Sequence, residues 1–241
     1  GPGHRDPHPS GQGMSRFLLS LSLAFYISAA TADKPILALV IDDLGYSFEQ
    51  AKKVINLPGQ HTYAIIPDTT YSKRIAVYAH QFGREIMLHM PMQSALDRKI
   101  EASALHAGMS EDQITDSVIS MIEQVPHIKG INNHMGSRLT QMGYMMRPVM
   151  ETIKNTNQSF YFLDSRTTAL SKAYKQALQA GIPALKRDVF LDVNHVNSEA
   201  IAFQFQRWLK KAKDKGHAIA IGHPHPATIT VLEQQLPQNF A

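Results

Sequence analysis

Short apolar runs rich in β-branched residues alternate with helical patterns along most of the chain, and this alternation restricts the fold more than any other feature. The runs lie at residues 36–41, 63–66, 85–88, 131–132, 160–163, 184–186 and 218–221. Seven strands separated by helices predict a parallel sheet with helices outside it, either an open doubly wound sheet or a closed barrel. No glycine-rich phosphate loop follows any of these strands, so the sequence favours the barrel.

Two of the helical patterns have clear ends. Ser110 with Gln113 three residues later forms a capping box, and a second amphipathic pattern begins at Ser198 and stops at Gly216. The longest interval between strands holds a loop at residues 91–109 ahead of the Ser110 helix. A loop of this length beside a barrel mouth is usually a lid or a substrate wall.

The N-terminal residues do not belong to the predicted fold. Residues 1–13 are rich in glycine, proline and histidine without periodicity, and we interpret them as an expression scar. Residues 14–32 begin with Met14, continue into an apolar run at 17–27 and end in an A-x-A site, which is typical of a secretory signal peptide. An uncleaved anchor is the alternative, although the run has only about half the ~20 residues of a membrane span. We expect a single domain over residues 33–241, periplasmic or secreted, with no membrane span after cleavage.

Composition excludes several kinds of site. The chain of 241 residues has no cysteine, which excludes disulfides, thiolate metal sites and a cysteine nucleophile. Any metal must therefore be held by histidine and carboxylate side chains. The formal net charge of +4 falls well short of the basic surface expected of a nucleic-acid binder, so nucleic acid is not an expected partner.

Acidic and imidazole side chains gather at one end of every predicted strand. In strand order they are Asp42 and Asp43, Asp68, His89, Asn133 and His134, Asp164, Asp188 and Asp192, and His223 and His225. In a parallel barrel these positions meet on the C-terminal face, where such folds build their active sites. A single residue of this set is explained by helix capping, but the convergence of several favours a metal site.

The adjacent pair Asp42 and Asp43 requires a local turn, because successive strand residues point to opposite faces. We expect Gly45 to supply that turn. One carboxylate could then bind a metal while its neighbour acts as a base. One carboxylate with two imidazoles is the open three-ligand arrangement of a catalytic zinc.

The order of these motifs resembles that of the polysaccharide deacetylases of the NodB-homology, or carbohydrate esterase, type, and most closely their divergent periplasmic branch. The resemblance rests on Val40-Ile41-Asp42-Asp43-Leu44-Gly45, on the strand that ends at His89, on Phe162-Leu163-Asp164-Ser165, and on the last strand that ends at Gly222-His223. It implies an α/β fold, a distorted (β/α)7 barrel of parallel strands with its active site at the C-terminal strand ends.

The resemblance also implies roles for individual residues. Asp42 is then the catalytic base, Asp43 and His89 are metal ligands, and His223 is the general acid. Asp164 would tune His223, and His225 could share the role of His223.

The sequence departs from the family pattern at the second metal histidine. The family usually places it four residues after the first, where this chain has Gln93. The stretch Asn133-His134-Met135-Gly136-Ser137 is characteristic of the divergent branch, and we infer that His134 replaces the missing ligand. The expected ligand set is therefore Asp43, His89 and His134.

The expected function is removal of acetyl groups from N-acetylated sugars of a cell-envelope polysaccharide such as peptidoglycan. Zn²⁺, or another divalent metal, would activate the water nucleophile. The main alternative is a catalytically degenerate periplasmic protein that binds glycan or a partner, since Gln93 breaks the usual ligand set. An amidohydrolase or phosphoesterase barrel and a methionine-rich copper protein are weaker alternatives. The sequence leaves open the polymer, the native metal, the protein partners and the oligomeric state.

Overall fold

A computed structural model describes residues 34–96 and 98–239, and Lys34–Ala241 group into one unit by their contacts. The leader and scar assigned to residues 1–32 lie outside the described residues. The strands are β1 (Ile36–Leu44), β2 (Thr62–Ile65), β3 (Glu85–Met92), β4 (Ile128–Met135), β5 (Tyr161–Asp164), β6 (Ala184–Lys186), β7 (Val189–Phe190) and β8 (His217–Gly222). The α-helices are α1 (Phe48–Ile55), α2 (Ser72–Gln81), α3 (Glu111–Gln124), α4 (Gly143–Lys154), α5 (Ala173–Gln179), α6 (Ser198–Lys215) and α7 (Pro226–Asn239).

All described strand pairs are parallel, in the order β6-β5-β4-β3-β2-β1-β8-β7. The prediction of an α/β fold of the distorted (β/α)7 type is confirmed. The predicted sixth strand, residues 184–186, is β6 and pairs with β5 at one edge of the sheet. A further two-residue strand that the sequence did not predict, β7, pairs with β8 at the other edge.

The chain itself joins the two edges of the curled sheet. The backbone N–H of Arg187 donates to Asp164 O in β5, and the next N–H, of Asp188, donates to Ile219 O in β8. Two successive residues thus bond to β5 and β8, the strands that lie next to the two edges of the sheet. No single described strand pairs with both β5 and β8, and the crossover between β6 and β7 spans the two edges instead.

The strands bury two different faces. The inner face carries a small apolar cluster of Val40, Ala64, Met87, Leu163, Ile219 and Ile221. The outer face packs against the helices, where α6 contributes the fully buried Phe205 and Trp208. Burying each such large apolar side chain stabilises the fold by about 1.5–3 kcal/mol. The core therefore lies mainly outside the barrel, which leaves the inner face free for polar residues at its C-terminal end.

The predicted helix ends are confirmed. Ser110 and Gln113 form the capping box of α3, and α6 ends at Gly216, whose φ of 81° suits glycine. No helix among residues 34–96 and 98–239 is long and apolar enough to cross a membrane.

The segment between β3 and α3, residues 93–110, folds back on the sheet, and we call it the β3–α3 loop. Gln93 N–H donates to Leu105 O, Leu105 N–H donates to Pro91 O, and Arg138 N–H donates to Gln93 O. These bonds hold both ends of the loop against the C-terminal face of the barrel.

Candidate metal centre

Three side-chain donor atoms converge at the C-terminal face of the barrel. Asp43 Oδ1 lies 3.0 Å from His89 Nε2 and 3.0 Å from His134 Nδ1, and the two imidazole nitrogens are 3.1 Å apart. Both histidines are buried, whereas the Asp43 side chain is 36% exposed. The cluster is therefore open to solvent on one side.

The register of β3 and β4 explains why both histidines face inward. Met87 belongs to the inner cluster, so His89, two residues later, points to the same face. His89 pairs with Asn132, and His134 lies two residues further along β4. Both imidazoles consequently project from the inner face near the strand ends.

A bulge in β1 brings the two adjacent carboxylates to one site. The register of β1 with β2 shifts between Ile41 and Leu44, and Asp43 has a left-handed φ of 59°. This conformation rotates Asp43 toward the side that Asp42 already faces. The expected turn thus begins at Asp43, and Gly45, with φ of 146°, continues it.

Asn132 fixes which nitrogen of His89 carries the proton. The Asn132 Nδ2 group donates to Asp42 Oδ1 at 2.8 Å, so its Oδ1 accepts from His89 Nδ1 at 2.7 Å. In a neutral His89 the lone pair is then on Nε2, which faces Asp43 and His134. A buried lone pair opposite a carboxylate requires a proton or a cation between them.

The donor set fits a divalent cation. Ligand atoms ~2.0–2.1 Å from a metal lie roughly 3.3 Å apart in a tetrahedron and roughly 2.9 Å apart at the right angles of an octahedron. The observed separations of 3.0–3.1 Å fall between these values. The three residues therefore suit zinc or another divalent metal, and the spacing alone does not select one of them.

The electrostatics of the chain alone also favour a cation here. Burial opposes a charge on His89, but Asp42 and Asp43 outweigh it and raise the pKa of the imidazole. Burial likewise opposes ionisation of Asp43, but hydrogen bonds from His134 and His89 hold the pKa of its carboxyl well below the usual value. The cluster thus concentrates negative charge that a bound cation would neutralise.

Asp42 lies beside the three donors. Its Oδ2 is 3.6 Å from His89 Nε2, outside the tight group, and the residue is 2% exposed. Burial raises the pKa of this carboxyl, which His89 and His223 only partly offset. Asp42 therefore lies next to the cluster and not within it, with a carboxyl that burial makes more basic.

His223 approaches from β8 on the other side. Its Nε2 lies 3.9 Å from Asp43 Oδ2, and its Nδ1 is bonded to Asp192 Oδ1 at 2.8 Å. Burial opposes a charge on His223, but the Asp192 hydrogen bond and the Asp43 charge raise its pKa to about 9. A protonated Nε2 directed at the site suits a proton donor.

The structure separates Asp164 and Gln93 from this group. The Asp164 carboxylate accepts from Arg166 N, Ser171 Oγ and Tyr174 N in its own loop. The partner of His223 is Asp192, which corrects the assignment of that role to Asp164. Gln93 Oε1 accepts from Ala107 N within the β3–α3 loop, and the third donor atom near Asp43 and His89 belongs to His134.

His225 lies on the far side of His223. Its ring centroid is 4.6 Å from that of His195 and 5.8 Å from that of His223. Asp192, His223 and His225 are close enough for a second cation. However, both Asp192 oxygens already accept hydrogen bonds, from His223 and Thr228, which makes this group a poor ligand set.

The sequence placed Asp192 at a strand end but did not predict its contact with His223, and it did not predict the roles of Asn132 and Glu101. Asp192 follows β7, which is too short to give an apolar pattern, and Asn132 was read only as the end of a strand. Glu101 reaches the site from the β3–α3 loop, with Oε2 3.6 Å from His134 Nε2. No local sequence signal marks Glu101, because its position depends on how the loop folds back.

A pocket of about 350 Å³ opens at the cluster. Its lining includes Asp42, Asp43, His89, His134 and His223, together with Leu96 and Arg98 from the loop, Ser165, and Phe190 of β7. The three donor atoms, Asp42 and His223 thus share one solvent-accessible pocket, whose volume lies at the lower end of the range for small-molecule sites.

Known proteins share both the sequence and the fold. The chain is 39% identical over 200 residues to the uncharacterized protein YibQ of Escherichia coli strain K12, covering 83% of this chain and 62% of that protein. An uncharacterized protein of Agrobacterium tumefaciens C58, ATU2773, superposes with a TM-score of 0.80 at 22% identity, over 87% of this chain and 85% of that one.

Two more distant structures show the same fold. The Bc1960 peptidoglycan N-acetylglucosamine deacetylase has a TM-score of 0.52 at 13% identity, over 86% of this chain and 82% of that one. BA3943 of Bacillus anthracis, a CE4 family pseudoenzyme, has a TM-score of 0.50 at 14% identity, over 86% of this chain and 61% of that one. The sequence model of one family matches residues 39–241, and the chain belongs to that family, the divergent polysaccharide deacetylases.

Proposed function

We propose that the protein is a metal-dependent hydrolase that removes acetyl groups from N-acetylated sugars of a cell-envelope polysaccharide such as peptidoglycan. The observation that carries the proposal is the arrangement around Asp43, His89 and His134. A free carboxylate, Asp42, flanks these donors on one side, and a histidine with a raised pKa, His223, flanks them on the other. Amide hydrolysis needs this combination of base and acid around one reacting carbonyl.

The three donors would hold zinc or another divalent ion. When bound, such an ion supplies Lewis-acid polarisation of the acetyl carbonyl and of the attacking water. Asn132 contributes by holding His89 with Nε2 free for coordination.

Asp42 takes the proton of the attacking water. Its carboxylate is buried, and burial raises its pKa, so its basicity exceeds that of an exposed aspartate. The bond from Asn132 Nδ2 holds one oxygen at 2.8 Å, leaving Oδ2 to accept the proton. The same bond keeps the base from turning away from the pocket.

His223 gives the second proton. Addition of water to the acetyl carbon is followed by breakage of the carbon–nitrogen bond, and the departing nitrogen must be protonated. Against the cost of burial, the hydrogen bond to Asp192 raises the pKa of His223 and favours its protonated form, and Asp192 on Nδ1 leaves Nε2–H toward the pocket. The products are acetate and a free amino sugar.

The pocket supports a substrate that presents a small acetamido group from a larger sugar. Phe190 and Leu96 offer apolar surface, and Arg98 offers a charged edge. The peptidoglycan deacetylase with the same fold and the secretory leader expected at residues 14–32 support a cell-envelope polymer in the periplasm.

The test measures acetate released from peptidoglycan fragments and from chitooligosaccharides by protein loaded with zinc. We expect release by the natural chain and none by Asp43→Asn, which should also lose bound metal. Asp164→Asn serves as a matched control, because its carboxylate faces its own loop. Metal binding that survives Asp43→Asn, or release that continues without metal, would contradict the proposal.

The alternative is a degenerate member that binds glycan without hydrolysing it. Gln93 favours it, because the side chain at the usual ligand position is bonded to the β3–α3 loop. Saturable binding of the same fragments to metal-loaded protein, with no acetate released, would select this alternative.

A further inference from the structure

Glu101 brings a carboxylate to the outer side of the metal centre. The residue belongs to the β3–α3 loop, and its side chain is 11% exposed. Glu101 Oε1 accepts a hydrogen bond from the Tyr46 hydroxyl, two residues after the end of β1. Glu101 Oε2 lies 3.6 Å from Nε2 of His134. A loop residue is thus held between the β1 turn and a metal-binding histidine.

The second carboxylate oxygen of Glu101 is a hydrogen-bond acceptor without a donor. Among the described residues, Glu101 Oε2 is buried and makes no hydrogen bond. An unsatisfied buried polar atom costs about 1–3 kcal/mol, and more when it is charged. Such an atom beside a ring nitrogen indicates a contact that forms when the site is loaded.

His134 needs an acceptor at this nitrogen. Its Nδ1 faces Asp43 and His89, so Nδ1 is the atom that would bind the metal. A coordinating imidazole nitrogen must be unprotonated, which leaves the proton on Nε2. Asn132 fixes the corresponding proton of His89. Glu101 lies beside the non-coordinating nitrogen of His134, as Asn132 lies beside that of His89.

We propose that Glu101 is a positioning residue of the metal centre, with its carboxylate accepting the Nε2 proton of His134 and so holding Nδ1 free for the metal. The inference rests on the metal centre proposed above. A movement of about 0.5 Å would shorten the present separation to hydrogen-bond distance. Tyr46 limits that movement by holding Oε1, so the carboxylate can turn toward the ring but not leave it.

The proposal links the metal to the substrate pocket. The loop that carries Glu101 also contributes Ser94, Leu96 and Arg98 to the pocket wall. Coordination makes the Nε2 proton of an imidazole more acidic and strengthens its hydrogen bond to a carboxylate. Metal binding should therefore hold this wall of the pocket in place.

The experiment compares metal affinity in a graded set of variants. Glu101→Met keeps the length of the side chain but removes the acceptor, and Glu101→Gln keeps a neutral acceptor. Tyr46→Phe keeps the carboxylate and removes its tether. Glu111→Gln removes the same charge from the exposed pair with Arg147 and is the matched control. Zinc dissociation constants are measured by competition with a chelator.

We expect Glu101→Met to weaken zinc binding about 10–100-fold, as loss of an outer carboxylate commonly does. Glu101→Gln and Tyr46→Phe should fall between Glu101→Met and the natural chain, and Glu111→Gln should leave the affinity unchanged. The ¹⁵N shifts of His134 provide a second readout, since they report whether Nε2 is protonated and Nδ1 bound. In Glu101→Met the ¹⁵N shifts should no longer report one tautomer of His134 with Nε2 protonated and Nδ1 bound to zinc.

The experiment distinguishes failure of the Glu101 inference from failure of the metal centre itself. Zinc binding that depends on Asp43 but is equal in all Glu101 variants, with unchanged His134 shifts, would overturn this inference and leave the metal centre standing. Absence of Asp43-dependent zinc binding in the natural chain would overturn both.

Discussion

Asp192 holds His223 at two points. Its Oδ2 accepts from the His223 backbone N–H at 2.6 Å, and its Oδ1 is bonded to His223 Nδ1 at 2.8 Å. Burial opposes ionisation of Asp192, but its bonds to His223 lower the pKa of the carboxyl, while the pKa of His223 is raised. The pair therefore remains charged across neutral pH, and its orientation determines which His223 nitrogen faces the pocket.

Asp192→Asn should move the basic limb of the pH–activity profile to lower pH. His223 must be protonated to act as acid, so activity is present below the pKa of this imidazole and is lost as the pH rises through it. Against the cost of burial, Asp192 and Asp43 raise that pKa to about 9 in the metal-free protein, and a cation bound to Asp43 lowers it from that value. Without the Asp192 charge the limb should fall by about 1–2 pH units. The measurement is kcat/KM for acetate release from about pH 5 to about pH 10.

Asp164→Asn separates this explanation from a general loss of structure. Asp164 bonds within its own loop, so its substitution should reduce stability without moving the basic limb. If Asp164→Asn shifts the limb and Asp192→Asn does not, the family's original assignment of the tuning carboxylate to Asp164 holds.

Asn132→Leu should damage the metal centre without adding a charge. The substitution removes the bridge between Asp42 and His89 and leaves two buried polar groups without partners. We expect a loss of about 1–3 kcal/mol in the free energy of unfolding and a metal affinity reduced about 10–100-fold. Urea unfolding and chelator competition measure the two effects.

Asn133→Leu is the comparison, because the side chain of Asn133 bonds Met135 O and Ser165 N instead of Asp42 and His89. Equal metal affinity in the two variants would contradict a specific role for Asn132.

The fold could be predicted because its strands are apolar runs separated by amphipathic helices. The strand ends were less predictable for a physical reason. β4 continues to Met135, through Asn132, Asn133 and His134, because the polar residues of the site occupy the last strand positions. Hydropathy alone therefore stops the strand before the site begins. β7 has two residues, too few for any periodicity.

The site was predictable only in part. Asp43, His89 and His134 come together from three strand ends, as parallel topology requires. Their roles and those of Asp42 and His223 stay predictions until metal and activity are measured. Asp192 and Glu101 depend on the crossover after β6 and on the path of the β3–α3 loop, which no short motif encodes.

Asp43→Ala and Asp43→Asn should differ in stability although both lose the metal. Asp43 has a left-handed φ of 59°, which asparagine adopts readily and alanine does not. We expect Asp43→Ala to be less stable than Asp43→Asn by about 1 kcal/mol. Thermal unfolding measures this difference, and added zinc should raise the Tm of the natural chain only. A zinc-dependent rise in either variant would exclude Asp43 as a required ligand.

Gly130→Ala should destabilise the barrel from its inner face. A Cβ at Gly130 would lie 2.5 Å from Tyr161 Cζ, and the Tyr161 ring is held by its hydroxyl bond to Glu85 at 2.6 Å. Because the ring cannot move without breaking that bond, we expect a loss of about 1–3 kcal/mol. Gly108→Ala is the control, since its nearest contact would be His106 at 3.4 Å in an exposed part of the loop. Urea unfolding compares the stabilities of the two variants.

The double variant Gly130→Ala with Tyr161→Phe tests whether the Tyr161 hydroxyl bond is the cause of the destabilisation. If the ring's hydroxyl bond prevents relaxation, Gly130→Ala should cost less in the Tyr161→Phe background, and an equal cost would place the strain elsewhere.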